Sequence, residues 1–158
     1  PLSMHVMENM SLKETGLVLQ FHVVAMFLPS LITGNLIKKY GHSAIIYGGV
    51  LFFFITVLIS LFEQTYLNYM LSLIFLGLGW NFLFISGTSL VVLTYNKEEK
   101  FKVQGINDLI VFSTMALASL SAGILLNSIG WKMMNIICIP FLILIILVSF
   151  VADKKSAS

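Results

Sequence analysis

Five apolar runs, 15–37, 44–62, 67–94, 106–129 and 133–152, take up most of this chain. Each is close to the length an α-helix needs to cross about 30 Å of hydrocarbon. A bilayer core holds no water, so backbone polar groups must be paired within the protein, and only helices or closed barrels satisfy that demand. The runs are continuous and lack strict alternation, which selects helices. Composition agrees: 58% of the 158 residues are hydrophobic, 10% are charged, and mean hydropathy is +0.98. That is too little polar material to surround a soluble domain of this size, so lipid is expected to cover the difference. The links 38–43, 63–66, 95–105 and 130–132 are short and polar. The expected fold is therefore an all-α polytopic membrane bundle.

Several functional classes are disfavoured at once. The single cysteine, Cys138, allows neither an intrachain disulfide nor a thiolate metal cluster, and its apolar run suggests a small hydrophobe. A formal charge of +2, scattered along the chain, gives no footprint for nucleic acid. No His-Glu-x-x-His pair and no Gly-x-Ser-x-Gly turn occurs, so no catalytic residue or metal site is expected.

All nine basic residues are lysine, and their distribution predicts orientation. Lys38, Lys39, Lys97, Lys100, Lys102, Lys154 and Lys155 fall on one side of the alternating spans, Lys13 and Lys132 on the other. Cytoplasmic loops accumulate positive charge, so the N-terminus is expected outside a cytoplasmic membrane and the C-terminus inside. The sequence opens at Pro1 with no start methionine and no signal-like segment, which suggests at least one further span upstream.

Polar residues are unevenly shared among the runs. The second and fifth are almost wholly apolar and read as lipid-facing, whereas the first, third and fourth carry Gln20, His22, Asn81, Asn107, Asp108 and Asn127. Polar groups at membrane depth are costly and face protein or a wet cavity. Helical spacing groups His22, Met26, Pro29 and Thr33 on one face of the first run, Gly77, Asn81, Phe84 and Thr88 on one face of the third, and Asn107, Val111, Thr114, Ala118 and Ser121 on the fourth. Candidate cavity residues are thus Trp80, Asn81, Phe84, Thr88, His22, Met26 and Thr114. Each has a structural alternative. Asn81 suits interhelical hydrogen bonding as well as solute contact. His22 lies about 10 Å into its span at 1.5 Å per residue, deep enough for a proton relay but equally able to pack as a neutral ring. Asp108, the one acid within any run, is either a coupling carboxylate or, close to the preceding link, a helix-capping charge. Pro29 is expected to kink the first span.

Taken together, FLPSLITGNLIKKYG (27–41), GLGWNFLFISGTSLV (77–91) and KFKVQGINDLIVFSTMALASLSAGILLNSIGW (100–131) resemble the C-terminal half of a bacterial major facilitator superfamily transporter, over nearly the whole chain. The resemblance implies the end of a seventh helix followed by helices eight to twelve of a twelve-helix, two-bundle fold. Gly34, Lys38, Lys39 and Gly41, with Leu36, resemble the weak second copy of the family's cytoplasmic loop motif, without its acid and trailing arginines. The family's geometry places the eighth, tenth and eleventh helices around the cavity and the ninth and twelfth against lipid. Trp80 and Asn81 would then lie near the bilayer midplane, where solute sites form between two halves.

The implied function is secondary active transport of a small solute by alternating access, with the N-terminal half of the same transporter as partner and no cofactor beyond an H+ or Na+ coupling ion. A non-transporting membrane subunit or scaffold is the alternative. The lack of arginine disfavours a strongly anionic solute at this half of the site.

Overall fold

A computed structural model describes residues 2–156. A π-helical turn, Leu2–Met7, precedes five helices: α1 (Leu12–Phe27), α2 (Ser30–Ser60), α3 (Tyr66–Val92), α4 (Lys100–Ile136) and α5 (Ile139–Ser156). No strand occurs among the described residues. α1 starts at a reciprocal capping box in which the Glu14 amide donates to Ser11 Oγ while the Ser11 amide donates to the Glu14 carboxylate. It stops just before Pro29, which has no N–H to continue the ladder.

Three stretches are long and apolar enough for a membrane: Leu12–Ser60, Tyr66–Val92 and Lys100–Lys154, of 49, 27 and 55 residues. The first and last would exceed about 70 Å if straight, more than twice the hydrocarbon thickness. Both are broken by a glycine. Gly41 (φ 82°, ψ 164°) and Gly130 (φ 74°, ψ 171°) adopt a backbone region essentially closed to other residues. The chain turns back at each, so the expected links 38–43 and 130–132 contract to one non-helical residue apiece. With Tyr66–Val92 unbroken, five helical limbs result.

Contacts along α3 fix the topology. His22, Ala25 and Met26 of α1 meet Leu73, Gly77 and Asn81 in ascending order, so α1 runs parallel to α3. His42, Gly49 and Thr56 of α2 meet Ser89, Gly79 and Ser72 in descending order, so the second limb of α2 runs antiparallel. α3 is the central element, and two glycines admit its neighbours. A Cβ on Gly77 would lie 2.7 Å from the His22 carbonyl oxygen, and one on Gly79 would lie 2.6 Å from Phe53 Cδ1 and 2.9 Å from the Gly49 carbonyl oxygen. Small residues permit this approach in lipid, where packing rather than hydrophobicity drives association.

At one end of the bundle the Tyr69 and Trp131 rings lie 5.2 Å apart, and Ser3 Oγ bonds the Tyr69 hydroxyl. At the other, Ser43 and Tyr47 donate to the Asp153 carboxylate, tying α5 to α2. Lys38, Lys39, Lys97, Lys100, Lys102 and Lys154 belong to this second end.

Two expectations change. The second run does not simply face lipid, because Ile45, Ile46, Gly49, Val50, Thr56, Val57 and Ser60 are buried. An all-apolar helix presents the same chemistry to lipid tails and to protein, so its sequence does not distinguish them. The fourth helix begins at Lys100 rather than near 106, since Lys and Gln are good helix formers and carry it beyond the apolar run. α4 itself buries only Leu126.

Candidate functional site

The residues expected to line a cavity separate into two layers. The inner layer joins α1 to α3. Asn81 is 2% exposed; its Nδ2 donates to the Met26 carbonyl at 2.7 Å and its Oδ1 accepts from the Thr33 hydroxyl at 2.7 Å. Thr33 Oγ1 is also 2.8 Å from the Pro29 carbonyl, so its single proton is shared between two acceptors. Met26 sits in the last turn of α1, where carbonyls have no intrahelical donor. Asn81 therefore supplies the hydrogen bond that the break at Pro29 removes. The predicted stripes of the first and third runs, His22/Met26/Thr33 and Gly77/Asn81, meet each other here.

The outer layer is a cavity of about 220 Å³ lined by His22, Met26, Phe53, Leu76, Trp80 and Met115. Four helices contribute: α1 gives His22 and Met26, α2 Phe53, α3 Leu76 and Trp80, and α4 Met115. Trp80 and Phe84 stack with centroids 5.3 Å apart and planes 14° from parallel, which steadies the indole. His22 Nδ1 lies 2.7 Å from the Leu73 carbonyl oxygen. A carbonyl only accepts, so Nδ1 carries the proton, and in the neutral ring Nε2 is an acceptor. No hydrogen bond engages Nε2 among the described residues.

His22, Met26 and Trp80 are thus brought together, with Phe84 behind Trp80. Thr88 on α3 and Thr114 on α4 do not line this cavity. The Thr114 hydroxyl is exposed and donates to its own helix at Ile110. Asp108 is exposed and accepts from Asn107 Nδ2 at 3.2 Å. It stands eight residues beyond Lys100, past the first turn to which a helix dipole's influence is confined, and the N-cap position belongs to Glu99. The expected capping role depended on a helix start near 106 and does not fit this placement. Of the loop motif, Gly34, Lys38 and Lys39 are exposed, and Gly41 makes the turn. No group of three or more His, Cys, Asp or Glu side chains could hold a metal ion among the described residues.

Phe53, Leu76 and Met115 escaped the sequence reading. Phe53 lies within Phe52-Phe53-Phe54 in an otherwise apolar run, and Leu76 and Met115 carry no polar marker. A local clue to Phe53 exists only through Gly49 and Gly79, whose close approach turns that part of α2 inward.

The sequence model described as Major Facilitator Superfamily matches residues 2–158. The chain is 40% identical, over 86% of its length, to the riboflavin transporter RfnT of Brucella anthropi, and covers 34% of that protein. It is 32% identical over 77% of its length to the uncharacterized MFS-type transporter YdeG of Bacillus subtilis, covering 29% of it. It is 29% identical over 79% of its length to YddS, another uncharacterized MFS-type transporter of the same organism, again covering 29%. The chain thus spans about a third of the length of the curated relatives it matches. No solved structure matches it. With an all-helical membrane bundle and a family match along essentially its whole length, the chain belongs to the Major Facilitator Superfamily.

Proposed function

We propose that this chain is the C-terminal part of a secondary transporter that moves a small, planar heteroaromatic solute of the flavin type across the cytoplasmic membrane by alternating access. The observation that carries the reading is the cavity in which four helices bring His22, Met26, Phe53, Leu76, Trp80 and Met115 together. Flat aromatic and thioether surfaces with one free ring nitrogen suit a stacked, weakly polar ring system. Similarity to a riboflavin transporter supports the same solute class.

The N-terminal half of the same transporter would supply the opposite wall, and rocking of one bundle against the other would open the site to each side in turn. The lysine-rich end, with Lys38, Lys39 and Lys97, would face the cytoplasm. No cofactor is required beyond a coupling H+ or Na+. Asp108, exposed on α4, is the candidate for that ion.

The test is uptake of labelled riboflavin by the full-length gene product in a riboflavin auxotroph. Saturable uptake that falls at least tenfold in Trp80→Ala at equal membrane expression supports the reading. Absence of flavin uptake removes the flavin assignment.

A further inference from the structure

The cavity beside Trp80 is small, and its polar groups are few. At about 220 Å³ it lies below the roughly 300–1,000 Å³ of most ligand pockets. It therefore accommodates one part of a solute rather than the whole. Of its six lining side chains, Met26, Phe53, Leu76 and Met115 offer apolar and thioether surface alone. Trp80 carries a donor at Nε1, and His22 carries Nε2, an acceptor in the neutral ring whose Nδ1 donates to the Leu73 carbonyl. The two imidazole nitrogens point to opposite sides of the ring. With Nδ1 held by α3 at Leu73, Nε2 is directed away from that carbonyl.

We infer that His22 is a specificity-determining residue whose Nε2 accepts a hydrogen bond from a ring N–H of the solute, and that this half of the transporter holds the ring edge of the solute rather than a hydroxylated side chain. The inference rests on the flavin reading above. In an isoalloxazine, one ring edge presents an imide N–H between two carbonyls. The N–H matches His22 Nε2, and a flanking carbonyl matches the Trp80 indole N–H. A polyhydroxylated chain would need several polar partners, and only two of the six lining residues have polar side-chain atoms. Leu73 contributes no side chain to the cavity but acts through its carbonyl, which selects the His22 tautomer.

Competition against labelled riboflavin, in proteoliposomes containing the full-length protein, tests the assignment. The probes are unlabelled riboflavin, 3-methylriboflavin, which lacks the imide proton, and lumiflavin, which keeps that proton but lacks the ribityl chain. In the unaltered protein 3-methylriboflavin is expected to compete at least about tenfold more weakly than riboflavin, because its methyl group covers the acceptor without pairing it. Lumiflavin should compete within a few-fold of riboflavin. His22→Leu and His22→Ala should bring the riboflavin to 3-methylriboflavin ratio close to one. His22→Gln, whose amide N–H can reach Leu73 while its oxygen still accepts, should restore much of the discrimination. The ratio does not depend on how much protein reaches the membrane, so a poorly expressed variant still reports. Undiminished discrimination in His22→Leu and His22→Ala overturns the role of His22 while leaving flavin transport standing. An unaltered protein that carries no flavin overturns the flavin reading and this inference with it.

Discussion

Asn81 on α3 hydrogen-bonds the Met26 carbonyl at the end of α1, 55 residues away in sequence, with an Nδ2 to oxygen distance of 2.7 Å. The same side chain accepts from Thr33 on the far side of Pro29. One amide thereby bridges both limbs of a proline-broken helix. Replacing Asn81 by Leu leaves the Met26 carbonyl without its partner and the Thr33 hydroxyl with Pro29 alone, and is expected to destabilise the protein by about 1–2 kcal/mol. Thermal melting of the detergent-solubilised protein measures this. A variant that melts normally but no longer transports would instead assign Asn81 to solute contact.

Gly79, like Gly77, is expected to resist replacement. A Cβ there would meet Phe53 and, more stubbornly, the Gly49 backbone carbonyl at 2.9 Å. Gly79→Ala should cost about 1–3 kcal/mol through overpacking, and should alter transport as well, because Phe53 lines the cavity. Gly87→Ala is the control, since no atom lies within 4 Å of its added Cβ. Equal melting temperatures for the two variants would contradict the packing described for α2 and α3.

Gly41→Ala probes the turn between the two limbs of α2. There is open space around the added methyl, so any effect comes from the backbone angle of +82° alone. The expected cost is about 1–3 kcal/mol. Gly34→Ala, in a helical conformation with open space around it, should be neutral or slightly stabilising. Expression and melting of the pair separate strain from crowding.

The clasp at the lysine-rich end predicts a crosslink. Ser43 and Asp153 are hydrogen-bonded across 110 residues of sequence. In a Cys138→Ser background, the double variant Ser43→Cys, Asp153→Cys should form a disulfide or react with a short bifunctional reagent. Failure to crosslink in membranes would detach α5 from α2 at that end.

Asp108 tests coupling. Asp108→Asn should remove the dependence of solute uptake on a proton or sodium gradient while leaving exchange of pre-loaded solute intact. Gradient-driven accumulation that persists in the variant would exclude Asp108 from the coupling step.

The membrane class and the helical fold were legible because the apolar runs are as long as a bilayer is thick and the links between them are short. The family was legible from residues 27–41, 77–91 and 100–131. Asn81 could be singled out as unusual, but its partner could not. Met26 contributes a main-chain carbonyl, which leaves no trace in side-chain patterning. The lipid-facing reading of the second run failed for a related reason: burial against protein and burial against lipid select the same residues. The start of α4 was misplaced because hydropathy marks where the apolar run begins, whereas Lys100, Lys102 and Gln104 extend the helix by propensity.

The bareness of α4 bears on the order of assembly. α1, α2 and α3 bury one another through Gly49, Gly77, Gly79 and Asn81, so a cohesive three-helix unit is complete once Val92 has been synthesised. α4, with Leu126 as its one buried residue, adds little cohesion when it follows. Misinsertion of α4 should therefore leave α1, α2 and α3 packed on one another, and a quality-control protease would meet one displaced helix beside a sound core rather than a wholly unfolded chain.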